Sequence, residues 1–125
     1  MTTTVYKVPQ TPKRVSLDPD VGGTLVTKNV TFTASQTGTT VWQPTTGKRF
    51  IVTDFAVNFT AAGKLTLFDG TDGATTRMLV FTGPANGGVS HSCRKPFLSS
   101  AVNNILKYTT GTGAAGEIVV WGYED

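Results

Sequence analysis

Beyond Gly23, turn residues cut the chain into eight short runs, and none of them carries the three-to-four spacing of an amphipathic helix. The runs are TLVTKNVTFT (24–33), TTVWQ (39–43), KRFIVTDFAVNFT (48–60), KLTLFD (64–69), TTRMLVFT (75–82), GVSHSCR (88–94), NNILKYTT (103–110) and EIVVWGY (117–123). Between them stand ASQTG, AAG, GTDG, GPANGG and TGTGAAG, segments rich in the residues that turns require. Eight strands in about a hundred residues specify an all-β protein. The spacing suits a jelly-roll-like antiparallel β-sandwich, and an immunoglobulin-like sandwich also accommodates it. In the longest run, Ile51, Thr53, Phe55, Val57 and Phe59 share one face at period two and are expected to face the core. Phe50, Val52, Asp54, Ala56 and Asn58 fall on the other face, and Pro96 is expected to end the sixth strand before it.

Composition agrees with this reading. Only 15% of the 125 residues are charged, and 23 are threonine, a β-branched residue that favours strands. One domain of this size can bury one core. No apolar run approaches the roughly 20 residues of a membrane span, and MTTTVYKVPQTP lacks the apolar stretch of a signal peptide. No membrane partner is expected. A single cysteine excludes an intramolecular disulfide framework.

Residues 1–23 read as an extended N-terminal arm, and residues 24–125 as a single β-sandwich domain. Pro9, Pro12 and Pro19 keep the arm out of helix. The net charge of +3 originates there: Lys7, Lys13 and Arg14 face no acid in residues 1–17, and the remaining eight bases are matched by eight acids. A basic arm on a neutral body is not the basic face or stripe of a nucleic-acid-binding domain, and no direct nucleic-acid contact is expected. Val5, Tyr6, Val8, Val15 and Leu17 give the arm apolar surface to bury, so with Lys7, Lys13 and Arg14 they form a candidate docking segment for a neighbouring subunit or a larger assembly.

Groups for catalysis are sparse. His91, the lone histidine, and Cys93 share a strand face roughly 6–7 Å apart, too far for a direct hydrogen bond. Two such ligands fall short of a zinc site. Asp69 and Asp72 in FDGTDG suit a tight turn better than a calcium loop. Asp54 is expected to face solvent. The two glutamates, Glu117 and Glu124, sit at the ends of the last run, with Glu124 and Asp125 expected in solvent, and they make no acid pair flanking a groove. No phosphate loop or dinucleotide fingerprint occurs. The chain is therefore expected to be non-enzymatic, with no catalytic residue, cofactor or metal. Trp42, Trp121 and Tyr123 are the aromatics that can serve either as core and subunit interface or as a stacking platform for a ligand.

The second half also carries a resemblance. The segments KRFIVTDFAVNFTAAGKLTLFDGTDG, GGVSHSCRKPFLSSAVNNILKYTT and GEIVVWGYED, within residues 48–125, resemble small virion structural proteins of tailed bacteriophages. The shared elements are the K-x-hydrophobic-V-T-D opening, the L-x-L-F-D-G hairpin, the G-G-V-S strand start, the A-V-N-N-x-L-x-Y-T-T strand and the terminal V-x-G-Y-E. Many such proteins have jelly-roll-like folds, and several are capsid decoration or cement proteins. The resemblance implies a structural protein made in the host cytoplasm and placed on the outer surface of the phage head. Its implied partners are the major capsid protein and itself, as a homo-oligomer, most often a trimer. The alternative, also compatible with a phage tail or head fibre, is a carbohydrate- or receptor-binding module that uses Trp42, or Trp121 with Tyr123.

Overall fold

The computed structural model describes residues 25–125, and the candidate arm residues Val5, Tyr6, Lys7, Val8, Lys13, Arg14, Val15 and Leu17 lie outside them. All eight expected strands form: β1 (Leu25–Phe32), β2 (Thr39–Trp42), β3 (Phe50–Ala61), β4 (Gly63–Asp69), β5 (Arg77–Gly83), β6 (Gly88–Leu98), β7 (Leu106–Thr110) and β8 (Ala115–Glu124). One sheet has the order β1-β8-β3-β6 and the other β2-β7-β4-β5. The pairs β1/β8, β2/β7, β3/β6 and β4/β5 are all antiparallel. The chain is thus one long hairpin, folded back between β4 and β5 and then rolled into two sheets. That is the jelly roll, and it excludes the immunoglobulin-like alternative.

The core lies between the sheets. Phe50, Val52, Phe55, Val57, Phe59, Ile118 and Val120 come from the first sheet, and Trp42, Leu65, Leu67, Leu106 and Tyr108 from the second. Phe59 packs edge-on against Phe32, with ring centroids 5.7 Å apart and planes at 81°. Edge-to-face packing of this kind adds to what burial alone provides.

The face assignment of β3 needs correcting. Its ladder with β8 shifts register between Val52 and Asp54, and a bulge inserts one unpaired residue, which reverses the inside–outside parity. Before the bulge, Phe50 and Val52 join the core; after it, Phe55, Val57 and Phe59 do. Ile51 is covered on the other side of the sheet, and Thr53 is half-buried at the bulge. A second shift falls between Phe59 and Ala61. Opposite the two bulges stand Gly122, paired with Val52, and Gly116, paired with Phe59. A Cβ on Gly122 would collide with the Ile51 carbonyl, and one on Gly116 with the Asn58 carbonyl. Bulges draw the backbones together at these two places, and only glycine admits the approach.

Nor does Pro96 end β6, which runs on to Leu98. Val52 pairs with Phe97 and Asp54 with Ser92, so Cys93–Pro96 leave the ladder as a wide bulge. β6 is an edge strand, where a missing N–H costs no pairing. Arg94, Lys95 and Pro96 there discourage a further strand from adding.

Candidate functional site

The outward face of the first sheet presents its side chains in transverse rows fixed by the strand registers. The first row is Leu25, Tyr123, Ile51 and Leu98, one residue from each strand. The second is Thr27, Trp121, Asp54 and Ser92, and the third Asn29, Val119, Ala56 and Ser90. Neighbouring rows are two residues apart along each strand, about 7 Å, and more across the bulge. Apolar character is concentrated in the first row and falls away in the later ones.

That first row borders the end of the sandwich where β1 begins. Leu25 is 63% exposed and Leu98 45% exposed. Val102, 50% exposed, lies at the same end, because Asn103 N–H donates to the Lys48 carbonyl and Gly47 N–H donates to Asn103 Oδ1. Three of the five large exposed apolar side chains among the described residues therefore lie at this end, Leu25 and Leu98 on the two edge strands with Tyr123 and Ile51 between them. A globular surface carries scattered apolar residues as a matter of course; a gathering of them at one place marks contact with something else.

Two hydrogen-bonded clusters hold this end in shape. Asp69, only 4% exposed, accepts from Ser99 Oγ and Asn104 Nδ2 at Oδ1 (2.9 and 3.1 Å) and from Ser100 N–H at Oδ2 (2.8 Å). Asp72 pairs instead with Arg77 Nε at 2.8 Å. The two aspartates of FDGTDG thus have separate structural roles, and no three His, Cys, Asp or Glu side chains meet as a metal set among the described residues. The second cluster joins the two sheets. Trp42 Nε1 donates to Glu124 Oε2 at 2.9 Å, and Thr45 N–H donates to Glu124 Oε1 at 3.2 Å.

Glu124 is therefore engaged rather than left in solvent. Burial raises its pKa, but the hydrogen bonds from Trp42 and Thr45 and the charge of Lys28 outweigh that and hold the carboxyl below its ordinary value of 4.5. A carboxylate whose folded pKa is lowered stabilises the fold above its unfolded pKa, and that contribution disappears as pH falls through the folded value. Thermal melting in an acid series is expected to fall more steeply below about pH 4.5 for the parent than for Glu124→Gln. Parallel curves would show that the carboxylate charge adds nothing at this joint.

The aromatic candidates separate. Trp42 is fully buried and belongs to the core; it is not a ligand platform. Trp121 is 40% exposed on a central strand, and Tyr123 is half-buried on the same face one row away. Asp54 lies beside Trp121, with its Oδ2 3.2 Å from Thr53 Oγ1, and that hydroxyl is also 3.2 Å from the Trp121 carbonyl. A groove of about 750 Å3 runs along this part of the face.

His91 and Cys93 do share a face, the inner one, where they line a cleft of about 450 Å3 between β5 and β6 with Phe55, Met78, Leu79 and Phe97. The imidazole packs on Phe55, with ring centroids 5.5 Å apart. Burial, and then the negative charge of Asp54, push the Cys93 thiol up from its ordinary pKa. That is the opposite of the activation a thiolate nucleophile needs.

These observations define an eight-stranded jelly-roll sandwich with an apolar end, where β1 begins, and an aromatic groove on one face. No family model and no curated protein matches the chain. Among solved structures it is similar to a chain of the disulfide-linked pili that form Bacillus endospore appendages. That match has 17% identity and a TM-score of 0.46, and covers 80% of this chain and 88% of the other. It is also similar to a chain of the virus-like particle of the extra small virus of the giant freshwater prawn Macrobrachium rosenbergii. There the identity is 16% and the TM-score 0.33, with 100% of this chain and 93% of the other covered.

Proposed function

We propose that this chain is a non-enzymatic structural protein of a tailed-bacteriophage virion, a decoration or cement protein that docks on the assembled head shell. The observation that carries this reading is that Leu25, Leu98 and Val102 stand exposed at the end of the sandwich where β1 begins. This end offers apolar contact, and the arm adds further apolar residues with Lys7, Lys13 and Arg14. Together they suit an end-on seat on the major capsid protein, with the basic residues steering approach to an acidic shell surface. The likeness of residues 48–125 to phage virion proteins supports the same reading. A protein that binds only the assembled shell stabilises that state by mass action. In a homotrimer, three linked contacts bind far more tightly than one.

The direct test is copy number, measured against the major capsid protein in purified particles. Hundreds of copies fit a shell-covering component, and absence from the particle overturns the proposal. Deleting residues 1–20 is expected to leave the melting temperature of the body within about 2 °C of the parent and to weaken shell binding by more than about tenfold. Equal binding by the truncated chain would remove the arm from the docking contact. Leu98→Asp and Val102→Asp are expected to weaken docking without unfolding the body, as both side chains are about half exposed.

A further inference from the structure

We infer that the groove beside Trp121 is a binding site for a neutral oligosaccharide. An indole on a central strand would ordinarily be covered, yet Trp121 stands exposed in the middle of a row whose other members are Thr27, Asp54 and Ser92. The bulge in β3 falls directly opposite it, and bulges often re-aim side chains at functional sites. The register sets Asp54 directly across from Trp121, and the Thr53 hydroxyl at the bulge lies 3.2 Å from both the Asp54 carboxylate and the Trp121 carbonyl, donating to one of them at a time. An ionised carboxylate has about four acceptor positions, and among the described residues Thr53 alone is hydrogen-bonded to Asp54. Thr27, Ser90 and Ser92 bring further hydroxyls into the same groove.

This is the chemistry of polyol recognition. The flat apolar indole takes the C–H face of a pyranose ring. The carboxylate accepts hydrogen bonds from sugar hydroxyls, and the flanking Ser and Thr hydroxyls both donate and accept. Among the described residues no lysine or arginine lines the groove, which disfavours phosphates, nucleic acid and acidic sugars. Its volume, about 750 Å3, falls within the roughly 300–1,000 Å3 of small-molecule sites. The groove starts at Leu25 of the apolar row and runs along the flank of the sandwich away from that end, and its test uses the free chain with sugars, so it stands or falls separately from shell docking.

The test uses the full chain, with cellotriose, mannotriose and chitotriose as probes, followed by 1H–15N correlation spectra. The two tryptophans give two indole N–H signals. That of Trp121 is expected to shift with a Kd of about 1 mM, while that of Trp42, held by Glu124 inside the core, stays in place. Trp121→Ala is expected to abolish binding as followed by backbone amide shifts of β3 and β8. Asp54→Asn is expected to weaken it about tenfold or more, the usual effect of losing a hydrogen bond to a charged group. Both positions face outward, and melting curves confirm that the variants fold. The inference is overturned if none of the three sugars shifts the Trp121 signal at about 20 mM, well above that Kd, or if either variant binds as the parent does. It is equally overturned if choline, a cation that recognises aromatic faces, shifts the signal at lower concentration than any sugar.

Discussion

Trp42→Ala is expected to cost about 3–5 kcal/mol of folding stability, measured by urea denaturation, the range for removing a large buried aromatic. Trp42 is fully buried and packs on Phe50, with ring centroids 5.8 Å apart. It ends β2, a four-residue edge strand with little pairing of its own. Its indole N–H reaches across to Glu124 at the far end of the chain, so one side chain joins the short edge of one sheet to the last strand of the other. Truncation leaves a cavity, and it also leaves Glu124 with Thr45 as its remaining hydrogen-bond donor. Trp42→Phe separates the two effects. It keeps most of the packing and loses the N–H, and a cost of about 1–2 kcal/mol is expected from the hydrogen bond to a charged acceptor and the smaller ring. A loss below about 1.5 kcal/mol for the alanine variant would show that the indole is not a joint between the sheets.

The two tryptophans show how far the sequence could be read. The eight strands were legible because turn residues bounded every run, and the order of the rolled sheets follows once the strands are paired as one folded hairpin. The alternation in NNILKYTT sets Leu106 and Tyr108 on one face, and that face is the buried one. Alternation fails where apolar residues are consecutive. FIV in β3 and IVV in β8 read equally well in either parity, so local pattern does not say which face turns inward. The bulge between Val52 and Asp54 decided it for β3, and its signal, Gly122 within β8, lies about seventy residues away. An isolated glycine in a strand pattern does point to a bulge, but it names the partner strand's bulge only once the pairing is known. Trp121 and Tyr123, two residues apart in one run, share a face of β8. That this face looks outward, while Trp42 is sealed inside, is a property of the assembled sheets.

The polar joints were harder to read for the same reason. Glu124 stands next to the end of the sequence, where solvent is the usual surrounding, and its partner Trp42 is 82 residues distant. The partners of Asp69 are 30 to 35 residues away. Within FDGTDG the local turn chemistry was visible, but the ring of donors from the segment that follows β6 was not. The groove at Trp121 was legible in part: the exposed aromatic was a candidate from the start, whereas Asp54, expected in solvent, gained its place beside the indole only through the bulge.

Asp69→Ala is expected to cost about 3 kcal/mol, because Ser100 N–H loses its acceptor while Ser99 Oγ and Asn104 Nδ2 fall back on the Ala101 carbonyl and Ser100 Oγ, and a hydrogen bond lost from a charged group or a donor left unpaired costs about 1–3 kcal/mol. Ser99 Oγ, Ser100 N–H and Asn104 Nδ2 all converge on this one carboxylate, and Ser99 is itself buried. Water reaching the opened site would recover part of the loss, which keeps the expectation near the lower end of the summed range. Asp69→Asn is expected to recover no more than about half, since its amide nitrogen must face either Ser100 N–H or the Asn104 amide, setting donor against donor. Hydrogen exchange at Ser100 gives the local readout: its amide is expected to lose protection in both variants, and more in alanine. The effect should extend to function, because residues 99–104 carry Val102 and bridge to Lys48 at the apolar end where β1 begins. If that end seats on the shell, Asp69→Asn, with its fold retained, is expected to bind shells more weakly than the parent while the Trp121 groove keeps its ligand affinity. Stability of Asp69→Ala within about 0.5 kcal/mol of the parent, the range of an ordinary surface substitution, would show that the carboxylate does not hold this end together.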